Sequence, residues 1–332
     1  MRVEKTGAIL VGFFTIACPG IVLAQAWVPP KGTTAVTYLY EDGYADKHLF
    51  SVDVGNGTNE LDLGKMYSRT SILGFEYGLG QRLAMTSSVA YVSTRYDGTA
   101  PENPQIDDGE WHATFGDASF TLRYKFLSGA WALTPIAGFS FPTHDYPIMG
   151  HTTAGSGRNT ASAGLVGGWV LDPGTPKLYL EGDYIYSWGE RFEGFSANSS
   201  NTDLEIGWFA TNWLTLRGFG NYHHADGGID WATDIVDAHS GHAHDAVAAA
   251  GYYRAGAGAS FTVSKQWDLY LFWEDTLSGE NTTNLRTLAF GVAWNFQRIT
   301  LPRPTAGLSG GGLIPAQSAG GARHAAARRT SR

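Results

Sequence analysis

The segment LAFGVAWNF, Leu288 to Phe296, decides the fold. Its even positions hold Leu288, Phe290, Val292, Trp294 and Phe296, and its odd positions hold Ala289, Gly291, Ala293 and Asn295. A strict period of two belongs to a strand whose two faces meet different surroundings. A soluble protein would turn the bulky face inward to a core, whereas a membrane-spanning sheet turns it outward to lipid. The rest of the chain chooses between them.

The same alternation recurs along the sequence. In FGDASFTLRYKFL, Phe115 to Leu127, the side chains of Phe120, Leu122, Tyr124 and Phe126 share one face. Asp117, Ser119, Thr121, Arg123 and Lys125 share the other. Helical periodicity is nearly absent. Twelve strands are predicted, at 33–42, 66–78, 83–96, 113–127, 131–143, 159–171, 178–188, 199–211, 213–224, 251–264, 267–277 and 283–297. Short connections (79–82, 128–130, 172–177, 212 and 265–266) alternate with long ones (43–65, 97–112, 144–158, 189–198 and 225–250), and a brief sixth falls near 278–282. Short turns at one end and long loops at the other describe an outer-membrane barrel. Charge in mid-strand and aromatics crowding the strand ends favour it over a soluble sandwich or lipocalin-like barrel. The predicted class is all-β, an antiparallel transmembrane β-barrel of about 12 strands. Lipid satisfies no backbone N–H or C=O, so the last strand must pair with the first.

Composition agrees. Gly accounts for 43 of 332 residues, and only 16% of the chain is charged. No segment after residue 26 approaches the roughly 18 consecutive apolar residues of a membrane helix. Arg2 and Lys5, the apolar run Ala8 to Ala17 and the small-x-small triplet Ala24-Gln25-Ala26 read as a secretory signal, residues 1–26, removed before Trp27. Cys18, the single cysteine, falls inside it, so no disulfide framework is expected. Residues 27–297 form the expected barrel. They carry 15 basic and 30 acidic residues, a balance that argues against a nucleic-acid partner. Residues 298–332, rich in Gly, Ala, Pro and Ser with six Arg, read as a disordered basic periplasmic tail.

Two resemblances bear on function. Gly291, Trp294 and Phe296 resemble the C-terminal insertion signal of bacterial outer-membrane proteins, which implies that the outer-membrane assembly machinery is a partner. Many such proteins stop at the final Phe, and this chain runs on. The barrel also looks like the outer-membrane family named for the MetA pathway of phenol degradation, often called transporters. The motifs are FGDASFTLRYKFL, WALTPIAGFSFPT (131–143) and EYGLGQRLAMTSSVAY (76–91). That resemblance implies a barrel passing small, aromatic molecules and supplies no catalytic residues.

Four constellations are candidate sites. Asp117, Arg123, Lys125, Glu181, Asp183, Glu205, Arg217, Arg254, Asp268 and Glu274 are predicted to line the lumen, where charges of both signs tune passage or pair and plug it. Twelve strands give an interior between a side-chain-filled eight-stranded barrel and an open porin. His239, His242 and His244 in DAHSGHAHDA, flanked by Asp237 and Asp245, have the chemistry for Zn²⁺ or Cu²⁺, but a solvated loop explains them too. Ser200 and His224 fall opposite each other across a turn near Asn212, on the lipid side. Twelve-stranded outer-membrane phospholipases place a Ser/His pair there, yet their motifs are missing, so no enzyme is expected. Glu102, Asp107, Asp108 and Glu110 in the fourth group lack the fixed spacing of a calcium loop and read as solvated.

The expected function is an outer-membrane channel for diffusion of small solutes, in the outer membrane of a Gram-negative bacterium, with lipid as surroundings and no cofactor. The alternative is a non-conducting barrel used for surface interaction or lipid hydrolysis.

Overall fold

The computed structural model describes residues 26–54, 57–99, 101–171, 173, 177–234 and 246–296. The signal segment through Gln25, the tail from Gln297 onward and the three histidines at 239, 242 and 244 lie outside them. The described elements are β1 (Thr34–Ala45), β2 (His48–Leu49), β3 (Glu60–Leu61), β4 (Lys65–Gly78), β5 (Leu83–Asp97), β6 (His112–Tyr124), β7 (Trp131–Pro142) and β8 (Thr160–Leu171). They continue with β9 (Leu178–Gly189), β10 (Ser199–Phe209), β11 (Leu214–Ala225), β12 (Gly251–Thr262), β13 (Trp267–Glu280), β14 (Thr282–Thr283) and β15 (Arg286–Asn295).

Twelve of these strands close into one antiparallel barrel. Each pairs with its neighbours in sequence, and the small strands β14, β2 and β3 form a separate sheet in the loops. β1 and β15 seal the barrel with register from Ala35↔Asn295 to Tyr44↔Arg286. No edge is left, as the bilayer interior requires. Among the described residues no helix is long and apolar enough to cross a membrane.

The outer face is apolar. Leu73, Phe115, Leu165, Leu204, Ile206, Leu271, Leu288 and Phe290 are all exposed there. In the opening segment Leu288, Phe290 and Trp294 point out, while Ala289 and Ala293 are buried inside. Aromatic pairs mark the periplasmic end: Trp131 stacks on Trp169 at 4.5 Å, and Trp267 on Trp294 at 5.4 Å. Such rings settle at the lipid–water boundary because one end of each is apolar and the other polar.

The strand pattern departs from simple alternation in two places. β5 and β6 slip register between Val89 and Tyr91, so Phe115 and Phe120 both face out despite opposite parity. The extra residue is a bulge at Gly116-Asp117. A second bulge lies between Tyr253 and Arg254 against β13. β6 also ends at Tyr124, three residues earlier than its pattern suggests. Lys125 therefore falls in the turn to β7, where its N–H donates to Arg82 O at 2.7 Å, and not within a strand.

Candidate functional site: the barrel interior

Alternation turns the polar faces of the strands inward, and the interior is built at three levels. At the periplasmic end the chain before β1 enters the barrel. Ala26, Trp27 and Val28 are buried, and Ala26 and Trp27 pack with Ala132, Val166, Val170 and Tyr179. The Ala26 N–H donates to Glu181 Oε2 at 3.2 Å, the Thr134 hydroxyl donates to Ala26 O, and the Trp27 indole donates to Gly129 O at 3.2 Å. Gly168 makes room: a Cβ there would stand 2.7 Å from both Ala26 Cβ and the Trp27 ring. This strap was invisible to strand periodicity, because it is not a strand.

The middle level is two-sided. Leu39, Ile72, Ala289 and Ala293 make an apolar wall, with Tyr270 and Phe272 beside it. Facing it are ionisable groups. Arg123, 1% exposed, pairs with Glu76. Arg217 Nη1 lies 3.4 Å from Glu205 Oε1, which also accepts from the Tyr179 hydroxyl. The Arg217 guanidinium stands over the rings of Tyr270 (5.9 Å) and Phe272 (6.0 Å). Tyr179 lies flat on Gly207, where a Cβ would meet its ring at 1.9 Å. Asp268 accepts from the Thr262 hydroxyl at 2.7 Å and from Asn295 Nδ2 at 3.3 Å.

Higher up, Arg254 Nη1 is 3.7 Å from Glu274 Oε1, and its guanidinium covers the Tyr252 ring at 4.2 Å. Asn221 Nδ2 donates to Asp203 at 2.8 Å, and the Asp203 N–H donates to Asp183 at 3.2 Å. Glu41, 4% exposed, completes the acidic side. Asp117 is drawn to the extracellular end, where Tyr146 and Ser156 (Oγ and N–H, both 2.8 Å) donate to it. Glu41, Glu76 and Asp203 escaped the sequence-based set, although each sits at the parity opposite an outward aromatic or leucine. That parity is the signal that would have found them.

The extracellular level is a cap of loops. His48, Tyr96, His151 and Trp231 are each no more than 1% exposed. Tyr96 stacks on His151 at 3.8 Å, His48 meets His151 edge-on at 5.7 Å, and Trp231 lies 6.1 Å from His48. The Trp231 N–H donates to Asn281 Oδ1 at 3.0 Å, tying the β11–β12 loop to the β13–β15 loop. Asp107 corrects the expectation of a solvated acidic loop. It is buried, 3.1 Å from His151 Nδ1, and accepts the His151 and Asn103 N–H groups at 3.0 and 3.2 Å. Burial alone would push its pKa up. The hydrogen bond and charge of His151 with the backbone donors outweigh burial and hold it below the usual carboxylate value. Asp108 and Glu110 stay at the surface, as Asp108 binds His112 at 2.8 Å. Burial, with its hydrogen bond to Asp117, raises the Tyr146 hydroxyl.

The remaining candidates are placed as follows. Ser200 and His224 are direct cross-strand partners at the extracellular end of β10 and β11. No hydrogen bond joins them; His224 instead stacks with Tyr222 at 6.4 Å. Asp226, one residue beyond β11, accepts from the Tyr186 hydroxyl at 2.6 Å. Among the described residues no group of three His, Cys, Asp or Glu is arranged to hold a metal. Gly291 and Trp294 occupy the end of β15, with Phe296 just beyond, 4.0 Å from the Trp294 ring.

The chain matches no protein-family model and no curated protein sequence, so the likeness to the phenol-degradation family rests on its motifs. Among solved structures it is similar to the COG4313 outer membrane channel from Pseudomonas putida F1, with TM-score 0.63 and 16% identity over 82% of this chain and 98% of that one. It is less similar to the translocator domain of the autotransporter NalP from Neisseria meningitidis (TM-score 0.47, 13% identity, 81% and 90% covered). The KdgM porin in complex with oligogalacturonate stands at TM-score 0.46 and 11% identity, with 79% and 99% covered. The first of these likenesses shows the fold: the chain is an antiparallel barrel of the outer-membrane type.

Proposed function

We propose that the protein is an outer-membrane channel that passes small solutes, aromatic ones among them, by diffusion through the barrel interior. The observation that carries this is the interior itself. An apolar wall of Leu39, Ile72 and Ala289 faces paired charges, and the ends are closed by a strap and a cap. A barrel that served only as a scaffold would be stabilised more by a packed apolar core than by buried ion pairs, which cost desolvation. Tyr179, Tyr270 and Phe272 make the interior beside the paired charges aromatic, and the surplus of carboxylates over Arg disfavours anions. Outer-membrane lipids surround it, and Gly291, Trp294 and Phe296 serve as the assembly address.

Liposome swelling tests this. Vesicles holding the purified protein should swell faster in small neutral aromatic solutes than protein-free vesicles, and should discriminate against anions of equal size. Swelling no faster than in protein-free vesicles would refute channel function. Lipid hydrolysis is favoured only by the register of Ser200 with His224. A lipase assay on Ser200→Ala and the parent separates that reading: the channel account expects no hydrolysis by either.

A further inference from the structure

The barrel's arginines divide by strand. Those of β6, β11 and β12 (Arg123, Arg217 and Arg254) point inside, their side chains no more than 9% exposed. The only other basic residues of the barrel strands are Lys65 and Arg69 on β4, Arg95 on β5 and Arg286 on β15. They lie on the outward faces of one sector, β15-β1-β4-β5. Cross-strand register lines them up. Arg286 pairs with Tyr44, Tyr44 with Tyr67, and Tyr67 with Arg95, so one cross-strand row joins four strands. Adjacent strands lie about 4.8 Å apart, which separates the two end guanidiniums by roughly 14 Å of sheet. Arg69 sits two residues below the row on β4.

Aromatic rings hold two of the guanidiniums. Arg69 lies over Trp111 at 4.2 Å and Arg95 over Tyr67 at 5.4 Å. Each Arg keeps donors to spare. Among the described residues Arg69 has no carboxylate within 4 Å, Arg95 gives one bond to Asp97 at 3.3 Å, and Arg286 is 3.7 Å from Asp275. Asp42, directly opposite Arg69, and Lys65, opposite Asp97, complete the local charge. On the far side the outward residues at this end include Tyr186, Trp188, Tyr222, His224 and Tyr253, with no Lys or Arg among them.

Height identifies the surroundings. From Phe296 to Arg286 is ten residues of strand, which at about 3.4 Å each and a tilt near 40° rises about 26 Å. That is the thickness of the apolar band, so the Arg286 end of the row stands where headgroups of the outer leaflet begin, and the inclined row spans that zone. We infer that this sector binds the phosphorylated glycolipid of that leaflet, an acylated disaccharide with a phosphate at each end. The acyl chains would lie on Leu288, Phe290 and Leu73, and the phosphates would take the guanidiniums, whose planar forks bind phosphate in bidentate fashion. The inference rests on the outer-membrane placement and not on conduction.

The test uses the full purified chain, delipidated in detergent, with native mass spectrometry against bis-phosphorylated lipid A, its dephosphorylated form and phosphatidylglycerol. The inference expects lipid A to be retained at least tenfold more tightly than the other two. It expects Arg69→Gln/Arg95→Gln/Arg286→Gln to lose at least tenfold, and Lys177→Gln, in a periplasmic turn, to lose nothing. Heat-modifiable gel mobility checks that each barrel is folded; if the triple variant fails there, Arg69→Gln and Arg286→Gln are measured singly and should each weaken retention. Equal retention of dephosphorylated lipid or phosphatidylglycerol, or full retention by folded Gln variants, would overturn it. Conductance of the same preparations in glycolipid-free bilayers bears on the channel reading alone, so the two can fail separately.

Discussion

Replacing Trp27 by Ala should convert a largely closed pore into one that opens often. Trp27 is 9% exposed, packed among Val166, Val170 and Tyr179, and its indole donates to Gly129 O at 3.2 Å. A buried Trp covers roughly 200 Å², which at about 25 cal/mol per Å² gives about 5 kcal/mol as an upper figure. Part of that is regained because the strap resettles in a wet interior, leaving about 3 kcal/mol, in line with the lower end of Trp→Ala costs. At 1.4 kcal/mol per tenfold, the docked-to-undocked ratio falls about a hundredfold, so a strap docked 99 times in a hundred becomes docked about half the time. The strands are untouched, so heat-modifiable mobility should not change. Single-channel recording in a planar bilayer reads the difference as open probability. An open probability and conductance equal to the parent's, in a folded variant, would refute the idea that the strap closes the pore.

Three further outcomes follow from the geometry. Glu76→Ala should lower stability to urea in detergent by about 3 kcal/mol, because it removes the carboxylate paired with buried Arg123; Glu76→Ala/Arg123→Leu should recover most of the loss. Gly207→Val should displace the Tyr179 ring and its bond to Glu205, changing conductance without preventing assembly, as compared by bilayer recording and gel mobility. The cap should loosen in acid. Asp107 is held below its unfolded value of about 3.9, so its contribution is complete above that pH and is lost as pH falls through the lower folded value. Acrylamide quenching of tryptophan fluorescence, Trp231 included, should rise over that range in the parent, whereas in Asp107→Asn the contribution should already be missing at pH 7.

Much of the barrel was legible because membrane strands obey one rule. In β10 and β11 the alternation of Leu204 and Ile206 with Asp203 and Glu205, and a turn at Asn212, placed Ser200 against His224 with no structural help. The rule fails where the chain leaves the period. The bulge at Gly116-Asp117 flips parity within one strand, so Phe115 and Phe120 both face out. Lys125 ended in a turn because a continued alternation does not reveal where pairing stops. The cap was illegible for another reason: Asp107, His151, Trp231 and Asn281 come from four separate loops, and only tertiary packing brings them together. The strap at Ala26 to Val28 spans the expected cleavage point, which would leave Trp27 and Val28 in the mature chain, and nothing in its composition announces an interior position.

The central account is that solute crosses through the barrel's interior, and blocking from inside tests it most directly. Ser119 points inward, where its hydroxyl meets Ser88 at 2.7 Å, whereas Ser71 points outward and meets Tyr38 at 3.0 Å. The barrel region, residues 27–297, holds no cysteine, so Ser119→Cys and Ser71→Cys each introduce a single thiol there. During bilayer recording, a bulky charged thiol reagent should reduce the conductance of Ser119→Cys in discrete steps and leave Ser71→Cys unchanged. Conductance that survives labelling at residue 119, or that falls equally for both, would contradict passage through the lumen.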